Sequence, residues 1–311
     1  MKERIVTNPI VFGALLFSFV LAIVYGRPGA QAQVSADKAP LVQKTSASSK
    51  RPDSRISEKP AEYSRFSQSS FENARLRNSL QWSFGGKSQI GWNLYTLLIG
   101  ETVGSDSPPE SAEFAAALSE WQSGSGLPST GILDLPTLEA FIKTWQSRRQ
   151  IGTIGPGANQ VISAPISDFY DPSRAAKLLQ LDREAYAAYK SMIAAAIKDL
   201  SADLKLTKNG ELAAEEKFLR IVSGFRSPEY QAQLRKREPN AGRGALAKRS
   251  VHSTGRAIDI YVGGEPVMTK DANRAIQVQT PVYKWLVENA HRFGFYPYFY
   301  EPWHWEYVPG K

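Results

Sequence analysis

The chain has 311 residues, of which 42% are apolar and 11% aromatic, enough for a core and, after terminal segments, about two domains. It contains no cysteine, which excludes disulfides, thiolate metal sites, a cysteine nucleophile and a lipid-modified N-terminal cysteine. The net charge of +8 favours anionic partners such as an acidic membrane surface or an anionic polymer, but no motif with nucleic-acid spacing accompanies it and no nucleic-acid partner is expected.

At the N-terminus, Lys2 and Arg4 precede a run of roughly 16 uncharged residues, from Ile10 to Tyr25, followed by Ala30-Gln31-Ala32. Residues 1–32 therefore read as a secretory signal peptide, with an uncleaved membrane anchor as the alternative, since the run falls somewhat short of the ~20 apolar residues a spanning helix needs. Both readings place the bulk of the chain outside the cytoplasm, in the periplasm or cell envelope. Residues 33–68 are rich in Ser, Lys, Ala, Pro and Gln and nearly devoid of large apolar side chains, so they read as a disordered tether.

From 69 to 149 the composition changes to that of a small helical domain. Phe114, Leu118 and Trp121 recur at helical spacing, Gly124, Gly126, Pro128 and Gly131 mark a turn region, and Asp134 opens a second amphipathic stretch carrying Leu138, Phe141, Ile142 and Trp145. Residues 150–170 read as a linker. In 171–311, Asp171-Pro172 predicts a helix start and a long helix towards Leu204. Strands are predicted at 218–223, 257–262 and 303–308, and helices open at Ser227-Pro228 and Thr280-Pro281. Helices mixed with a few short strands predict an α+β fold.

Three pieces of this C-terminal part carry chemistry: Ser223-Gly-Phe-Arg226-Ser, Ser250-Val-His252-Ser-Thr-Gly255-Arg-Ala-Ile-Asp259 and Glu301-Pro-Trp-His304-Trp-Glu306. Without cysteine, a metal must be held by His and carboxylates, and only three His exist: His252, His291 and His304. Gly255 permits a tight turn that can face His252 and Asp259 towards one point. Asp259 stands on the polar face of an otherwise apolar strand, where an unpaired carboxylate is costly. Strand pairing would bring His304 to the same centre. Glu301 is the candidate base for a metal-activated water, and Glu306 is either that base or a partner that orients a ligating imidazole. Arg226 can hold a developing carbonyl oxyanion or a substrate carboxylate, and Ser250 can donate a hydrogen bond to substrate. His291 receives no role.

The three motifs, in this order, closely resemble those of the zinc D-alanyl-D-alanine carboxypeptidase and dipeptidase family. The resemblance spans about residues 217–309. It implies one Zn²⁺ per chain bound by His252, Asp259 and His304, Glu301 as catalytic base, Arg226 as transition-state and substrate contact, and peptidoglycan stem peptide as substrate. It also implies a small antiparallel sheet with flanking helices, of the hedgehog and DD-peptidase type. The segment from Phe114 to Phe141 resembles the three-helix peptidoglycan-binding module of secreted wall hydrolases. Together these imply an exported D,D-carboxypeptidase releasing terminal D-Ala and contacting anionic wall or membrane. An endopeptidase using the same metal set and a non-catalytic wall-binding protein are the alternatives.

Overall fold

In the computed structural model, the residues described are 65–149, 155–237 and 250–310. The signal peptide or anchor expected at 1–32, and most of the tether expected at 33–68, lie outside them. Among the described residues, no helix is long and apolar enough to cross a membrane.

The first part of the chain builds α1 (Ser67–Ser79), a hairpin of β1 (Gln81–Phe84) and β2 (Lys87–Ile90), then α2 (Thr96–Val103), α3 (Ala112–Gly124) and α4 (Leu135–Arg148). The hairpin interrupts a stretch whose sequence reads as helical. Gly85-Gly86 makes it, both residues taking the positive φ that a two-residue turn demands. The α3 and α4 starts follow their caps: the side chains of Ser111 and Asp134 accept hydrogen bonds from the backbone N–H of Phe114 and Thr137. The intervening turn is pinned by buried Gln122, which accepts from Gly131 N at 2.8 Å and donates to Ile132 O at 3.0 Å.

The stretch expected as a linker contains β3 (Val161–Ser163), which pairs antiparallel with β4 (Gln180–Asp182). The long helix expected from Asp171 begins later, as α5 (Arg183–Asp199). Asp171 spends its carboxylate on a local turn, accepting from the backbone N–H and hydroxyl of Ser173, while Asp182 is the cap that starts the helix, accepting from Glu184 N and Ala185 N. Ala185, Tyr189, Met192, Ile193 and Ala196 then form one buried stripe at helical spacing.

The central sheet is antiparallel, in the order β5 (Ile221–Ser223), β6 (Ala257–Ile260), β8 (His304–Tyr307), β7 (Phe295–Pro297). Its strands are shorter than the apolar runs predicted. The helices α6 (Pro228–Arg237), α7 (Asp271–Gln277) and α8 (Pro281–Asn289) complete the α+β arrangement. The starts predicted at Ser227 and Thr280 hold, each side chain accepting from the backbone N–H of Tyr230 or Tyr283.

One hydrophobic cluster runs through the helices, the hairpin and the sheet. Its seam is aromatic. Phe299, in the turn between β7 and β8, meets Phe84 of the hairpin edge-on at 4.8 Å between ring centroids, with Tyr95 at 5.5 Å and Trp145 at 5.9 Å. Buried Arg274 of α7 crosses the same seam, donating to the hydroxyl of Tyr95 at 3.1 Å and to Gln89 Oε1 at 3.2 Å. The turn that carries Glu301 and His304 is thus packed directly against the helical region.

Candidate metal centre

Strand register assembles the site. Asp259 lies opposite Ser223 on one side and opposite His304 on the other, so all three side chains share one face of the sheet. His252 arrives from a short 3₁₀ turn, Val251–Thr254, just before β6. Gly255 ends that turn at φ +72°, and a Cβ there would stand 2.8 Å from the backbone nitrogen of Asp182. Glycine is needed on both counts: the left-handed backbone and the close approach of β4. It folds His252 back over Asp259.

The result is a buried group in which one donor atom each from His252, Asp259 and His304 lie within 4.8 Å of one another. Asp259 Oδ1 is the hub, 3.3 Å from His252 Nε2 and 3.0 Å from His304 Nδ1. The outer nitrogen of each imidazole has its own partner. His252 Nδ1 donates to the carbonyl of Gly224 at 2.8 Å, which leaves Nε2 of the neutral ring with a lone pair facing the hub. His304 Nε2 lies 3.2 Å from Glu306 Oε1. Glu306 is fully buried, and its Oε1 also accepts from Arg149 Nε at 2.9 Å and from Arg149 Nη2.

Two nitrogen donors and one carboxylate oxygen, converging on a point with outer partners already in place, fit a divalent zinc-type ion that keeps a position open for substrate or water. The charge states of His252 and Asp259 suit this donor set, whereas His304 must first give up a proton. Burial lowers the His252 imidazole to about 4, aided by the Arg226 cation. Burial works against the Asp259 carboxylate, but His252, His304 and Arg226 outweigh it and hold that group well below the usual carboxylate range. His304 is opposite in sense to His252: burial alone would lower it, yet its bonds to Asp259 and Glu306 raise it to about 9.

Around the cluster stand the other residues singled out from sequence. Glu301 is buried in the turn before β8, its backbone closing that turn through Glu301 N to Tyr298 O at 3.0 Å and His304 N to Glu301 O at 2.9 Å. Burial pushes its carboxyl up to about 7. Arg226 donates from Nη2 to Asp259 Oδ2 at 2.7 Å and from Nε to Ser223 Oγ at 3.0 Å. Its guanidinium therefore braces the hub as well as bordering the site. Ser250 caps the His252 turn, its hydroxyl oxygen accepting from His252 N at 3.3 Å, which leaves its O–H able to donate. His291 is exposed and stands apart, lining a 500 Å³ cleft with Glu101 and Trp145.

Sequence reasoning missed Ser223 as the support of Arg226, the Gly224 carbonyl as the support of His252, and Arg149 altogether. The first two lie within a motif already noted. Arg149 gave no signal, because a basic residue after a helix is ordinary.

An α+β frame that gathers two imidazoles and a carboxylate over one sheet face defines the class of a candidate metal-site scaffold. Comparison with known families is more specific: residues 178–310 match VanY, described as D-alanyl-D-alanine carboxypeptidase. This stretch of the chain is thus similar to the D-alanyl-D-alanine carboxypeptidase family, and it holds the whole His252–Asp259–His304 group. The match does not reach residues 65–149. No curated protein matches the chain.

Proposed function

We propose that this chain is an exported zinc peptidase that releases the terminal D-alanine from peptidoglycan stem peptides. The observation that carries the reading is the convergence of His252, Asp259 and His304 within 4.8 Å, with a buried carboxyl at Glu301 that interacts electrostatically with His304 and Asp259. These three side chains would hold the ion. When bound, zinc would polarise the scissile carbonyl and make water acidic enough to attack near neutral pH.

The remaining work falls to the chain. Glu301 takes the proton of the attacking water and returns it to the departing amine of D-alanine. A carboxyl lifted to about 7 suits both halves of that exchange, because its two protonation states are close in free energy at working pH. Arg226, steadied by Ser223 and Asp259, holds the oxygen on which charge develops or the carboxylate of the substrate. Ser250 donates its hydroxyl hydrogen to the peptide. The helical region supplies a peptidoglycan-binding surface, a role supported by its sequence pattern. Export is supported by the uncharged run and Ala-Gln-Ala of the first 32 residues.

The test is mass spectrometry of defined muropeptides after incubation with zinc-loaded wild type and Glu301→Ala. Loss of a single alanine with wild type, and near-absence of product with the variant, is expected. A cut inside the stem or crosslink would make the enzyme an endopeptidase. Identical product patterns would remove Glu301 as the base, and no product from either would remove the peptidase reading.

A further inference from the structure

The two imidazoles of the cluster are held by unlike supports. His252 leans on a backbone carbonyl within its own domain, whereas His304 leans on Glu306, a buried carboxylate whose charge is met from elsewhere. Arg149 meets it. This residue directly follows α4, outside the part of the chain that matches the peptidase family. Its Nε and Nη2 both donate to Glu306 Oε1, the same oxygen that faces His304 Nε2, and its Nη1 donates to Gln146 Oε1 at 2.7 Å. The guanidinium also lies 4.0 Å over the ring of Tyr298, which packs edge-on to the His304 ring at 5.9 Å. Arg149 therefore touches both groups that flank His304. Only 19% of its side chain is exposed, and 1% of the Glu306 side chain, so water does little of this work.

We propose that Arg149 is a positioning residue for the metal ligand His304. Two N–H groups of the Arg149 guanidinium, donated from the helical region, fix the Glu306 carboxylate in place. Glu306 Oε1 then accepts from Nε2–H, which keeps the proton on that nitrogen and presents the Nδ1 lone pair to the metal. The orientation of the ring is fixed at the same time by Tyr298, clamped under the guanidinium. On this view the helical region completes the metal site. A free Glu306 could instead rotate away, and His304 would lose the acceptor that orients its ring. The inference rests on the metal-site reading above, with His304 ligating through Nδ1.

The experiment uses the full chain and four variants: Arg149→Ala, Arg149→Lys, Gln89→Ala and His252→Ala. Gln89→Ala removes a different polar tie across the same seam, that to Arg274, without touching Glu306. Zinc affinity is measured by competition with a chromophoric chelator, the Co²⁺-substituted protein is examined by visible absorption, and folding is followed by thermal melting. Arg149→Ala is expected to bind zinc ~10- to 100-fold more weakly and to shift the cobalt bands, the range found when partners of metal ligands are removed. Arg149→Lys, which keeps the charge but loses the forked geometry, should recover part of the affinity. Gln89→Ala should match wild type in both readouts. Wild-type affinity and spectrum in folded Arg149→Ala would overturn the proposal; should that variant not fold, unchanged affinity in Arg149→Lys would do so. If wild type takes up no zinc, or His252→Ala takes it up equally well, the metal-site reading itself fails and the role of Arg149 goes with it.

Discussion

The His252 side and the His304 side of the cluster reach the same point by different means. On the His252 side everything is local and made of backbone: a capped 3₁₀ turn, a left-handed Gly255, and the carbonyl of Gly224 on the outer nitrogen. On the His304 side the support is charge, passed from Glu306 to a residue far off in sequence. A backbone support works only if the chain path is right. A charged support works only if its counter-charge is present, because an ionised carboxylate buried without a partner costs several kcal/mol. One half of the site should therefore respond to changes in chain geometry, and the other to changes in charge and pH.

The comparison can be broken most directly at the ligands. His252→Ala and His304→Ala should each abolish zinc stoichiometry and activity, measured by metal analysis and alanine release; full activity in either would remove that side from the site. Next in size is Glu301→Gln, which belongs to neither side. It should lower kcat by ~10²- to 10⁴-fold, the span of general acid–base catalysis, while zinc content stays at one per chain. Retained turnover there would assign the proton transfer to another group.

Gly255→Ala tests the backbone side alone. The added Cβ would stand 2.8 Å from Asp182 N at a φ of +72°, so the turn must shift. A loss of about 1–3 kcal/mol in unfolding free energy is expected, the usual scale of a non-glycine residue forced into such a conformation. Denaturant unfolding of the metal-free protein measures it, and an unchanged midpoint would show that the turn has slack.

The smallest effect sharpens the contrast. In the metal-free protein His304 is raised to about 9 and holds a proton on both ring nitrogens at neutral pH, whereas His252, lowered to about 4, holds only the one on Nδ1. The proton shared by His304 with its carboxylate neighbours must leave before both Nδ1 can bind metal and Nε2 can stay protonated. Zinc uptake at pH 7 should therefore release about one proton, from the His304 side, and apparent affinity should rise with pH towards about 9. Calorimetry in buffers of different ionisation enthalpy counts the proton. No release at pH 7 would mean that the two sides are electrostatically alike.

The parts of the site legible in the sequence were those that operate over a few residues. Ser250, His252, Gly255 and Asp259 form one turn and the strand it feeds, and Glu301 and His304 share another turn, so their residue types and spacing already imply convergence. Capping at Ser227 and Thr280 was legible for the same reason. The Gly85-Gly86 hairpin was overlooked inside a stretch of helical pattern, and the α5 start was misplaced because Asp171 and Asp182 are equally good caps until β4 decides between them.

The sequence by itself determined the chemistry: two imidazoles and a carboxylate, a further carboxyl nearby, and no thiol to compete. Only the tertiary structure decided which nitrogen of each ring faces the centre, what holds the other nitrogen, and that Arg149 reaches Glu306 across 157 positions of chain. Residue types and short spacings are written locally, whereas the pairing of two buried charges depends on how separate elements pack, and a single sequence carries no local trace of that.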